Sequence, residues 1–141
     1  MDRRDFLASL GIGAAALACA DCLQGCSPLN GPNDVPAAPT NVNLSLDLTL
    51  PANSALNNAG GTIYTGGLII ARSSAGGFIA LSQACTHQGG TVQYRSGSNT
   101  FYCPVHGSVF AADGSVITGP ASRSLTKYNT SLSGTTLKVV S

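Results

Sequence analysis

Between Val42 and Leu50 apolar and polar residues alternate, with Val42, Leu44, Leu46, Leu48 and Leu50 interleaved by Asn43, Ser45, Asp47 and Thr49. A period of two predicts a half-buried strand, because successive side chains of an extended chain point to opposite faces. Pro51 stops the run, and Ala52 to Gly61 reads as a polar loop containing glycine. Thr62–Thr65, Leu68–Arg72 and Phe78–Ser82 are further short strands, punctuated by Gly66-Gly67 and Gly76-Gly77. Thr91–Tyr94 and Thr100–Tyr102 flank the turn Ser96–Asn99. Asp113-Gly114 reads as a hairpin between Val109–Phe110 and Val116–Ile117. Ser124–Leu132 and Thr135–Val140 bracket a last hairpin at Ser133-Gly134. Short strands at regular spacing predict an all-β sandwich or barrel, and no helix is expected after the leader.

The first forty residues differ in kind. Asp2, Arg3, Arg4, Asp5, Phe6 and Leu7 resemble a twin-arginine export signature, and an apolar run rich in Ala and Gly follows to Ala20. That run falls short of the roughly 20 residues needed to span a bilayer. Leu23, Gln24, Gly25, Cys26 and Ser27 resemble a bacterial lipobox, which makes Cys26 the lipidation candidate and Cys19 a weaker one. Asp21 departs from that pattern; cleavage near Ala20 and a disulfide between two of these cysteines are the alternatives. Pro28, Pro32, Pro36 and Pro39 then exclude a helix or central strand, so residues 27–40 read as an extended tether. The expected organisation is a signal over 1–26, this linker over 27–40 and one domain over 41–141. The address implied is export, with the domain held at a membrane in the periplasm by an N-terminal lipid.

Charge adds mostly exclusions. Only 9% of the residues are charged, every acid is Asp, and the formal net charge is +1. Nothing here favours nucleic acid as a partner.

The chemistry sits in two short blocks. One is Cys85, Thr86, His87, Gln88, Gly89, Gly90; the other is Cys103, Pro104, Val105, His106, Gly107, Ser108. Both of the chain's histidines lie in these blocks. Each block presents one thiol and one imidazole from a glycine-containing loop, and glycine allows the backbone a close approach to a bound group. Two Cys and two His also form an accepted zinc set, so a structural zinc-binding β domain is the rival of a different class. A thiol hydrolase would need one Cys–His pair, not two, and no third orienting group stands out.

The spacing Cys-x-His and Cys-x-x-His, with Gly89 two residues after the first His and Gly107 directly after the second, resembles the Rieske [2Fe–2S] iron–sulfur family. The resemblance covers roughly the last hundred residues, from near Asn41. It implies an antiparallel β base with a small cluster-binding subdomain. It implies that Cys85 and Cys103 bind one iron of a [2Fe–2S] cluster while His87 and His106 bind the other. Gly119, Pro120 and Ala121 match the loop that covers the cluster, with Leu125 and Tyr128 leading into the strand after it. Ser108 matches a serine that donates to a bridging sulfide.

Two departures are visible. Gly90 and Val105 stand where members from cytochrome bc complexes carry a disulfide, and Phe110 stands where they have a tyrosine donating to a ligand sulfur. One donor kept and one lost implies a potential below that of quinol-oxidising centres. The function expected is one-electron transfer by a shuttle or accessory subunit, with a cytochrome or oxidase subunit as partner. The alternative is the Rieske subunit of a quinol-oxidising complex. With one redox site, the protein is not expected to be an enzyme by itself. An oxygenase is excluded by length, and a cytoplasmic oxygenase ferredoxin is disfavoured by the export signal.

Overall fold

A computed structural model describes residues 35–141. The export signal, Cys19, Cys26 and the first part of the proline-rich segment lie outside the described residues. Two antiparallel sheets make up the fold. The larger has six strands in the order β1 (Asn43–Asp47), β10 (Thr136–Val140), β9 (Lys127–Ser133), β4 (Phe78–Ser82), β3 (Leu68–Arg72), β2 (Thr62–Thr65). The smaller, in the order β5 (Gln93–Arg95), β6 (Thr100–Tyr102), β7 (Val109–Ala111), β8 (Val116–Thr118), lies in sequence between β4 and β9. The all-β expectation holds, and β2, β3, β4 and β6 fall on the expected residues.

Strands β3 and β4 explain how two cores share one wall. Leu68 and Ile70 face a core with Leu56, Tyr128, Leu137 and Val139. Ile69 and Ala71 face a second core with Cys85, Val92, Phe101, Cys103 and Phe110. Ala80 and Leu81 divide in the same way. Alternation therefore disappears from Leu68–Ala71, because both faces of the strand are buried.

Two expectations are corrected. The segment expected as a loop from Ala52 contains a 3₁₀ helix, Pro51–Asn57, with Pro51 in its first turn and Leu56 fully buried. Its register is held by side-chain amides: Asn53 donates to the Asp47 carbonyl and Asn57 to the Leu48 carbonyl, each at 2.9 Å. Strand β1 also ends earlier than the alternation predicts. The Asp47 carboxylate accepts from the Thr49 N–H at 2.9 Å and from its hydroxyl at 2.7 Å, a local turn that competes with the ladder. The end of the linker rests on the domain. Buried Tyr128 donates its hydroxyl to the Pro39 carbonyl at 2.7 Å.

Candidate metal centre

The two Cys/His blocks fold into loops with matching backbones. The first lies between β4 and β5, the second between β6 and β7. In the first, the Gly89 N–H donates to the Cys85 carbonyl at 2.8 Å and the Cys85 N–H to the Gly90 carbonyl at 2.7 Å. In the second, the Gly107 N–H donates to the Cys103 carbonyl at 2.9 Å and the Cys103 N–H to the Ser108 carbonyl at 2.8 Å. Each loop thus closes on the residue four positions after its cysteine and on the next. Gly89 (φ 75°) and Gly107 (φ 83°) occupy the left-handed region at the same point of each loop. A side chain there would be strained, which is the physical reason for glycine at both positions.

The four side chains are sorted by element. Both cysteines are free thiols, 1% and 2% exposed, and belong to the core that holds Val92, Phe101, Phe110, Ala121 and Leu125. The imidazoles stand nearer solvent: His87 is half-buried and His106 exposed. Their ring centroids are 4.8 Å apart at an interplanar angle of 85°. Burial raises the pKa of the Cys103 thiol, the neighbouring Cys85 adds to this, and the Val105 and His106 N–H groups pull the other way. Amide donors aimed at a sulfur stabilise it as the thiolate that a metal takes.

Three observations test whether these residues fit a cluster. The Nδ1 atom of His87 is buried with no hydrogen-bond partner, a lone pair suited to a metal. Gly90 keeps the cradle clear, since a Cβ there would lie 3.2 Å from the Cys103 Sγ and 2.5 Å from the Val105 Cγ2. Thiol groups with thiol and imidazole with imidazole suit two metals with two ligands each. The donor set and its arrangement fit [2Fe–2S].

A third segment completes the surroundings. Ser108 is fully buried at the foot of the second loop, and its Oγ accepts the Ala121 N–H at 3.0 Å. Thr86, between Cys85 and His87, donates its hydroxyl to the Arg123 carbonyl at 2.5 Å. Pro120 is exposed on that same segment, and Phe110 is buried in the core of both cysteines. The tie through Thr86 was not foreseen in the sequence. Its acceptor is a main-chain carbonyl, which every residue type carries.

Comparison with known proteins agrees with a [2Fe–2S] domain. The family model for the Rieske [2Fe-2S] domain matches residues 48–129, more than half of the chain. The cytochrome b6-f complex iron-sulfur subunit of Synechococcus sp. (strain JA-3-3Ab) is 48% identical over 54 residues, covering 38% of this chain and 31% of that protein. The subunit of the same name from Synechococcus sp. (strain WH7803) is 43% identical over 65 residues, covering 46% and 36%. The matches span about a third of the length of these curated relatives. Among solved structures, the plasma membrane Rieske protein PetC3 from the cyanobacterium Synechocystis PCC 6803 matches at TM-score 0.50 and 34% identity, covering 57% of this chain and 84% of that one. The ferredoxin of carbazole 1,9a-dioxygenase from Nocardioides aromaticivorans IC177 shares the fold at TM-score 0.54 and 19% identity, covering 72% and 98%.

Proposed function

The chain belongs to the Rieske [2Fe–2S] family, and from that premise we propose that it carries single electrons through a cluster held by Cys85 and Cys103 on one iron and His87 and His106 on the other. The sorting of buried thiols from the less buried imidazoles, half-buried His87 and exposed His106, on two matching loops carries this reading. The cluster supplies one-electron redox chemistry when bound, at about −150 to +300 mV for a two-His centre against about −400 mV for plant-type ferredoxins. The protein residues position it. The core around Cys85 and Cys103 excludes water from the sulfur side, and exposed His106 offers the short path to a partner's redox group. Iron and acid-labile sulfide analysis with a redox titration tests the assignment. Two irons and two sulfides per chain, with a potential in the Rieske range, are expected; zinc without sulfide would overturn it.

The potential is expected in the middle of that range. Ser108 supplies a hydroxyl, whereas Phe110 supplies none. Phe110→Tyr, if its hydroxyl reaches a ligand sulfur, should raise the potential by about 60 mV or more, since a hydrogen bond to a charged group is worth roughly 1.5–3 kcal/mol and about 59 mV is tenfold for one electron. Protein-film voltammetry of the variant checks this, and a lowered or unchanged value would exclude a donor role from that position.

The partner proposed is a cytochrome or oxidase subunit, with the protein acting as an exported shuttle or accessory subunit. The second reading, a subunit of a quinol-oxidising complex, is supported by relatives that are cytochrome b6-f iron–sulfur subunits. Twin-arginine export and lipidation at Cys26, or at Cys19, would place the domain at the periplasmic face of the membrane. Replacing Cys26 with Ser should release the protein into the soluble periplasmic fraction. Retention in the membrane by Cys26→Ser but not by Cys19→Ser would assign the lipid to Cys19. Purification of the tagged protein from gently solubilised membranes separates the two partner readings, because only a complex subunit should bring a cytochrome b with it.

A further inference from the structure

Resting on the reading that the four ligands hold a [2Fe–2S] cluster, we propose that the backbone N–H of Ala121 is a positioning group that directs the Ser108 hydroxyl at the cluster. The segment 119–123 would then set the reduction potential through that hydroxyl, in addition to covering the site.

A serine hydroxyl has one proton to give and two lone pairs to accept with. At Ser108 one lone pair is taken by the Ala121 N–H at 3.0 Å. Ser108 is fully buried, so water does not compete for its remaining proton and lone pair. Among the described residues no protein acceptor takes its proton. The incoming N–H repels the hydroxyl proton from its own side of the oxygen and leaves it facing away from Ala121. It also polarises the O–H bond, which makes the hydroxyl a better donor. A better donor favours the more negative, reduced state of an iron–sulfur centre.

The donor itself is fixed from two directions. Ala121 is 4% exposed and packs in the core with both cysteines, Phe110 and Leu125. Two residues on, the Arg123 carbonyl accepts the Thr86 hydroxyl at 2.5 Å. The segment is thus hydrogen-bonded to the first ligand loop through Arg123 and to the second through Ala121. No disulfide joins these loops, since Gly90 and Val105 occupy the facing positions. The clasp is built from main-chain groups of this segment and one hydroxyl from each loop.

The test replaces one backbone N–H by an oxygen and leaves the shape. Ala121→lactic acid converts the Ala121 amide to an ester, deleting the N–H, and is made with and without Ser108→Ala in the full chain loaded with its cluster. The ester should lower the reduction potential when Ser108 is present and leave it unmoved in the Ser108→Ala background. An equal shift in both backgrounds, or none in the first, would overturn the proposal. A merely structural role for the segment gives that equal shift. A second readout needs no ester: amide hydrogen exchange at Ala121, resolved by fragmentation mass spectrometry, should speed up at least tenfold in Ser108→Ala. An unchanged rate would overturn the proposal even if the ester protein does not assemble. Iron and sulfide content separates the two levels of failure. Full loading with no potential shift sinks the positioning role alone, whereas wild-type protein without a cluster sinks the ligand assignment beneath it.

Discussion

Replacing His106 with Cys is expected to leave a cluster in place and lower its reduction potential by on the order of 100 mV or more. His106 is exposed at the tip of its loop, so a shorter side chain meets no packing penalty there. The change exchanges a neutral imidazole for an anionic thiolate. Added negative charge opposes the arrival of an electron, and the difference between Rieske and all-cysteine centres gives the scale. Redox titration followed by visible absorbance reads the shift. An unchanged potential would show that His106 is no ligand. His106→Ala, which offers no replacement donor, should instead lose iron.

Joining Gly90 and Val105 by a disulfide is the second large effect. A Cβ on Gly90 would stand 3.3 Å from the Val105 Cβ, slightly short of the usual disulfide separation of about 3.5–4.5 Å, so a small outward shift of the loops suffices. In the native chain a Val105 methyl fills this space, and the same Cβ would meet it at 2.5 Å. Gly90→Ala alone should therefore force the loops apart and cost about 1–3 kcal/mol, as overpacking does. Gly90→Cys with Val105→Cys removes the methyl and lets the bridge close, the remaining 3.2 Å contact of the new Cβ with the Cys103 Sγ being relieved by a shift of a few tenths of an ångström. Cross-linking a loop of about 15 residues should add about 3 kcal/mol to the stability of the oxidised protein. Denaturant unfolding with and without a thiol reductant checks the gain, and the single Gly90→Ala variant checks the clash. A double variant whose thiols stay free would contradict the loop separation described above.

Legibility in the sequence followed the range of the forces involved. Strands β2, β3 and β4 were readable because apolar runs and paired glycines bound them locally, and β6 because the Ser96–Asn99 turn precedes it. The 3₁₀ helix was not, because Asn53 and Asn57 fix it through carbonyls of Asp47 and Leu48, and an acceptor carbonyl leaves no mark on residue type. Thr91 was expected inside β5, yet it forms an isolated bridge with Ala84 that closes the base of the first ligand loop. At the centre itself, residue type and spacing pointed to Cys85, His87, Cys103 and His106 together, since few chemistries ask for that pattern. The sorting of thiols into the core and imidazoles toward solvent required the fold. So did the tie between Ser108 and Ala121, 13 residues apart. The signal and the lipidation candidates stand outside the described residues and rest on sequence pattern alone.

The most direct measurement is pulsed electron paramagnetic resonance on dithionite-reduced protein grown with ¹⁵N-histidine. The chain contains two histidines, His87 and His106, so any labelled histidine nitrogen coupled to the cluster belongs to one of them. The expected result is a spin-half signal with two ¹⁵N couplings, one of which disappears in His106→Cys. A diamagnetic protein, or a reduced cluster without coupled histidine nitrogen, would contradict the four-ligand centre.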